Sequence, residues 1–182
     1  MQNSQISNNR FYLLGFMGSG KSTVGKRLAN KLGFNFIDLD NYIEKKHFKT
    51  VAKIFETESE QSFRLYEKAC LEEVSQFENV IISCGGGTPC FFNNMELMNE
   101  TGRTIYLKLS PLMLVSRLRN SKKINTRPLI MHKSKEELTE YVENTLNVRE
   151  ECYLKSKIIV DAKNKNISEI IDLIKISDTD SQ

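Results

Sequence analysis

Near its start the chain carries the run GFMGSGKST, Gly15 to Thr23, between a short apolar segment and a stretch with helical patterning. No other feature restricts the fold as tightly. Gly15, Gly20, Lys21 and Ser22 match GxxxxGK[ST], and Gly18 adds a further glycine. A loop of this kind wraps around phosphate oxygens with its backbone N–H groups pointing inward, and glycines permit the tight path. The lysine reaches the β and γ phosphates, and the serine hydroxyl is placed for magnesium. The following helix adds its positive N-terminal end. Gly18, Ser19, Gly20, Lys21, Ser22 and Thr23 are therefore expected to bind a nucleoside triphosphate.

That loop requires a strand before it and a helix after it, and the rest of the chain continues the pattern. FYLLGF (11–16), FNFIDLD (34–40), NVIISC (79–84), TIYLKL (104–109) and KIIVDA (157–162) read as strands. The gaps between them suit crossover helices rather than hairpins, which predicts one α/β domain around a parallel sheet. Gly33 marks a left-handed helix stop, and Ser134 with Glu137 has capping-box spacing. Ile167, Ile170, Ile171 and Ile174 fall along one helical face.

The helix after the loop spans roughly 20 Å at 1.5 Å per residue. The returning strand covers roughly 23 Å at about 3.3 Å per residue. Its end, Asp38-Leu39-Asp40, is thus expected beside the phosphate loop, at the sheet edge where α/β folds bind ligands. Residues two apart on a strand face the same side, so both carboxylates are expected to point into the crevice. One acid can hold the water shell of magnesium while the other accepts a hydrogen bond from an attacking hydroxyl.

Composition excludes more than it selects. A net charge of +3, from 26 basic and 23 acidic residues, is too mild for a general nucleic-acid binder. No apolar stretch approaches the roughly 18 residues of a membrane span, and MQNSQISNNR lacks the apolar core of a signal peptide. Cys70, Cys84, Cys90 and Cys152 contain no CxxC pair, which reads as reduced, partly buried cytoplasmic thiols rather than a zinc site. Residues 1–10 and 177–182 are polar and expected to be disordered tails around a single domain, 11–176.

Taken in order, the phosphate loop, DLD, SFRLYE (62–67), CGGGT (84–88), TRPL (126–129) and NVREECY (147–153) resemble the shikimate kinase family over roughly residues 11–176. The resemblance implies a P-loop NTPase-type three-layer sandwich, like that of nucleoside-monophosphate kinases. Its five-stranded parallel sheet is flanked by helices and carries a substrate-binding region at about 40–70 and a mobile lid at about 117–130. It implies transfer of the γ-phosphate of ATP to the 3-hydroxyl of shikimate, with magnesium, by a cytoplasmic monomer that binds neither nucleic acid nor membrane. Asp38 and Ser22 are then expected at the metal. Asp40, Lys21 and Arg127 become the catalytic set, with Asp40 either deprotonating or orienting the hydroxyl. Arg64 and Arg149 are expected on the shikimate carboxylate, and Gly85, Gly86 and Gly87 against the ring. Arg127 is the lid arginine at the phosphates.

The chemistry of these residue types agrees with those roles. An arginine fork matches a carboxylate two bonds at a time, and CGGG directly follows a strand, at the same edge as the phosphate loop. Glu67, three residues beyond Arg64, can hold its guanidinium. Phe55 and Phe63 serve either the substrate ring or the core. The basic segment RLRNSKKINTRPL (117–129) suits a lid that excludes water. Arg119 is the nearest match to the adenine-packing residue, with Arg117 a rival, and DAKNKNIS (161–168) lacks the proline usual in the adenine loop. Lys163 and Lys165 are candidates near the base. A GTPase would need NKxD and DxxG, which are missing, and an adenylate-kinase-like enzyme would bind a second nucleotide. The remaining alternative is a kinase for another small hydroxy acid such as gluconate.

Overall fold

Five of the apolar runs become five parallel strands: β1 (Arg10–Leu14), β2 (Asn35–Asp38), β3 (Val80–Ser83), β4 (Arg103–Lys108) and β5 (Ile158–Asp161). They pair in the order β2-β3-β1-β4-β5. The computed structural model describes residues 9–121, 130–163 and 166–179. β1, β3 and β4 are buried along almost their whole length, because helices cover both faces of the sheet. β5, at the edge, alternates buried and exposed positions.

Side chains alternate across β1. Phe11 and Leu13 join the core beneath α1 (Lys21–Leu32) and α8 (Ile167–Thr179), where Leu28, Ala29, Ile170, Ile171 and Ile174 meet them. Tyr12 and Leu14 join the core under α2 (Leu39–His47), α3 (Val51–Thr57), α4 (Glu60–Val74) and α5 (Asn94–Thr101). A third cluster, with Phe16 and Tyr106 at its base, packs α6 (Pro111–Arg119) against α7 (Lys135–Tyr153). This is the expected three-layer sandwich.

Local punctuation behaves as its chemistry demands. Gly33 stops α1 in the left-handed region at φ 72°. The Ser134 hydroxyl accepts from the Glu137 N–H at 3.1 Å, and the Glu137 carboxylate accepts from the Ser134 N–H at 2.6 Å. Boundaries differ from expectation in three places. β1 begins at Arg10, inside the expected tail, where the guanidinium Nε donates to the Phe77 carbonyl at 2.7 Å. The last helix runs to Thr179, past the expected limit at 176. The strand expected over 34–40 ends at Asp38, whose carboxylate caps α2 through the Asn41 N–H. An acid at a helix N-terminus satisfies an orphan donor, and here that outcome wins over strand extension.

β1 and β3 are neighbours whose outgoing connections run to opposite sides, to β2 and to β4, which opens a crevice at the carboxyl ends of the strands. The loop helix α1 is pressed tightly onto this sheet. A Cβ on Gly25 would lie 2.5 Å from the Phe36 ring and 3.0 Å from Leu13. Gly25→Val should therefore destabilise the protein by about 1–3 kcal/mol through overpacking, read as a lower urea midpoint with an unchanged slope.

Candidate active site

The phosphate loop leaves β1 and turns back through a Ser19 N–H to Phe16 carbonyl bond of 3.1 Å, ending at Gly20, the N-cap of α1. Gly15 adopts φ 135°, and a Cβ there would sit 2.9 Å from the Leu107 carbonyl, so only glycine fits. Lys21 folds over the loop, its ammonium donating to the carbonyls of Gly15 at 2.8 Å and Phe16 at 3.0 Å. The Ser22 hydroxyl, in the first turn of α1, donates to Asp38 Oδ2 at 2.7 Å. Ser83 Oγ lies 3.4 Å from the same hydroxyl. Strand register explains the meeting, since Asp38 and Ser83 are direct neighbours across β2 and β3.

Asp40 stands in the first turn of α2 rather than on the strand. The shared strand face expected for the two aspartates is therefore wrong, yet both line one crevice. Strand end and first helical turn are close enough that the carboxylates converge by another route. Burial raises the Asp40 pKa from 3.8 to about 6, the nearby carboxylates of Glu67 and Asp38 push the same way, and Lys21 opposes them.

Opposite these acids sits an arginine held on several sides. Arg64, on α4, is 8% exposed, and Glu67 is 0% exposed. Arg64 Nη1 donates to Glu67 Oε2 at 2.8 Å and Nη2 to Glu60 Oε1 at 3.0 Å. The other Glu67 oxygen accepts from the Thr88 hydroxyl, on the 3-10 turn Thr88–Cys90 that follows the glycine run. A Cβ on Gly85 would lie 3.0 Å from Asp40, Glu67 and Thr88 together, and one on Gly87 would lie 2.7 Å from Arg64 Nη2. The glycines thus let the backbone approach both charged groups. Gly86 approaches Arg149, with 3.5 Å between a Cβ position and Nη1, and its carbonyl accepts from the Tyr153 hydroxyl.

The crevice these residues line has a volume of about 940 Å³. Phosphate-loop residues line it together with Arg64, Arg149, Asp38 and Asp40. Phe55 and Phe63 both line it, with ring centroids 4.9 Å apart, and Phe63 also belongs to the core.

The model of the family described as "Shikimate kinase" matches residues 17–177. A shikimate kinase of Parabacteroides distasonis is 48% identical over 85% of this chain and 88% of its own length. The chain belongs to the shikimate kinase family. The crystal structure of the shikimate kinase from Bacteroides thetaiotaomicron superposes with a TM-score of 0.83 at 41% identity, covering 92% of this chain and 94% of that one. That of the Acinetobacter baumannii enzyme, in complex with shikimate, gives 0.82 at 29% identity over 93% and 94%.

Against the expectations for this family, the crevice gathers Gly18, Gly20, Lys21, Ser22, Thr23, Asp38, Asp40, Arg64, Gly85, Gly86, Gly87 and Arg149. Ser19 is 1% exposed within the loop. Arg117 and Arg119 are both exposed on α6, and of the two Arg117 lines the crevice. Two positions along a helix rotate a side chain by about 200°, so the pair leave α6 in nearly opposite directions. Arg117 donates to the Ser19 carbonyl at 3.0 Å and to the Ala162 carbonyl at 3.3 Å, tying the phosphate loop to the segment after β5. Arg127 and Lys165 lie outside the described residues, as does most of the expected lid. Lys163 is exposed, its N–H donating to Asp161. Sequence reasoning missed Ser83 and Thr88. Their only signals were a strand-end serine opposite Asp38 and a threonine directly after the glycines.

Asp40 holds its proton more tightly in the folded chain than in the unfolded one, so its contribution to stability is present below about pH 4 and is lost as pH rises through about 6. Asp40→Asn should therefore raise unfolding free energy at pH 7.5 by on the order of 2 kcal/mol, with little effect at pH 4. Urea titrations of both proteins at the two pH values check this.

Proposed function

We propose that the protein transfers the γ-phosphate of ATP to the 3-hydroxyl of shikimate, forming shikimate 3-phosphate and ADP in chorismate and aromatic amino-acid biosynthesis. One observation carries the reading: a single crevice holds a phosphate loop, a pair of acids and two arginines suited to a carboxylate. A second nucleotide offers no carboxylate for those arginines; a small hydroxy acid does.

In the transfer, the acceptor oxygen bonds to the γ-phosphorus as the bond to the β–γ bridging oxygen breaks and ADP departs. Asp40 receives the hydroxyl proton or holds the hydroxyl in line, a role favoured by a pKa near 6. Lys21 and the loop N–H groups stabilise charge on the phosphates, and Arg127, in TRPL, joins them. Arg64 and Arg149 orient the substrate carboxylate while the glycine backbone borders the ring. Of the two α6 arginines read toward the base, Arg119 and its rival Arg117, Arg117 has the support of lining the crevice.

The Ser22 hydroxyl and Asp38 carboxylate, 2.7 Å apart, are hard oxygen donors that fit magnesium arriving with ATP. Bound there, the ion supplies neutralisation of phosphate charge. The protein is further read as a cytoplasmic monomer. Among the described residues no helix is long and apolar enough to cross a membrane.

ADP release measured with ATP, magnesium and shikimate, with gluconate, or with neither tests the reading. Release should depend on shikimate. Release with gluconate alone moves the substrate assignment to another hydroxy acid, and equal release in all three makes water the acceptor. Lys21→Met should abolish turnover. Asp40→Asn should lower kcat by about 10²–10⁴-fold. Arg149→Ala should chiefly raise KM for shikimate, by roughly 10–100-fold.

A further inference from the structure

The guanidinium of Arg64 is held in its plane by the two glutamates, but its face is held by something else. Its Cζ lies 4.0 Å from the centroid of the Phe91 ring, against 5.2 Å for Phe63. Phe91 directly follows the 3-10 turn that carries Thr88, with extended backbone at φ −116° and ψ 145°. It is half-buried, belongs to none of the three hydrophobic clusters, and does not line the crevice. An aromatic ring outside the core whose close partner is a buried cation is placed for that cation.

Building on the proposed function, we propose that Phe91 is a positioning residue for the substrate carboxylate, acting through Arg64. A guanidinium has five N–H donors in one plane. Two are taken by Glu60 and Glu67, and Nε is buried without a partner, so one N–H on each Nη remains for a ligand. A ring on the face uses none of them. It blocks rotation out of the plane and keeps water off the cation, leaving the donor edge set for two parallel bonds to a carboxylate. Gly87 makes room, because any side chain there would enter the guanidinium. The turn after β3 thus contributes Thr88 to the plane of Arg64, through Glu67, and Phe91 to its face.

The test compares Phe91→Ala, Phe91→Leu and Phe91→Tyr with the wild type by steady-state kinetics in both substrates, by calorimetric titration with shikimate, and by melting temperature. The alanine and leucine variants should raise KM and Kd for shikimate by about 5–10-fold, with kcat and KM for ATP within about twofold. Tyrosine, which keeps the ring, should behave as wild type. Leucine preserves apolar bulk, so it separates loss of stacking from loss of packing. Unchanged shikimate affinity in the alanine and leucine variants overturns the proposal, as do equal losses for both substrates or a tyrosine variant as weak as alanine. Wild-type protein that neither binds nor phosphorylates shikimate overturns the functional reading itself, and the proposal with it. The two failures are distinguished by the wild-type control.

Discussion

A carboxylate with no access to water organises the substrate side of this molecule. Glu67 must find its hydrogen bonds within the protein, and it takes them from Arg64 on its own helix and from Thr88 beyond β3. Those bonds tie α4 to the turn after the glycine run. A buried ion pair of this kind contributes little net stability compared with apolar packing, because desolvation offsets the attraction, but removing one partner leaves a costly buried charge. What the pair secures is geometry. The arginine is delivered with one N–H on each Nη unused and its orientation set.

The same carboxylate shapes the chemistry next to it. Asp40 is pushed toward its neutral form first by its own burial and then by the like charges of Glu67 and Asp38, while Lys21 partly compensates. The proton on Asp40 is therefore held near pH 6, where a carboxylate can both accept and release it. The crevice is graded accordingly. Backbone N–H groups and a lysine suit phosphate, whose charge is spread over several oxygens. Planar arginine forks suit a carboxylate, and Asp38 and Asp40 line the same space.

Much of this was legible along the chain. The phosphate loop is local: glycines, a lysine and a serine in fixed spacing, with α1 following directly. The strands could be read because a doubly covered parallel sheet requires uninterrupted apolar runs. Ser134 and Glu137 formed their capping box because its partners are three residues apart. The DLD motif is more instructive. Its destination was right and its geometry wrong, since chain length dictates where a returning strand ends but not whether an aspartate extends the strand or caps the next helix. Arg117 and Arg119 show the same limit, because composition is blind to a helix's rotation about its axis. Arg64 was marked by the surrounding SFRLYE motif rather than by any local signal.

The sequence by itself determined the α/β architecture, the triphosphate site and the family, because each rests on residues close together or on motifs in a recognisable order. Only the tertiary structure decided that Glu67 is buried, that the Asp40 pKa is raised, that Arg117 lines the crevice, and that Phe91 lies on Arg64. The physical reason is separation along the chain. Glu67 and Thr88, or Arg64 and Phe91, are more than twenty residues apart, and burial and Coulomb interaction depend on distance in space.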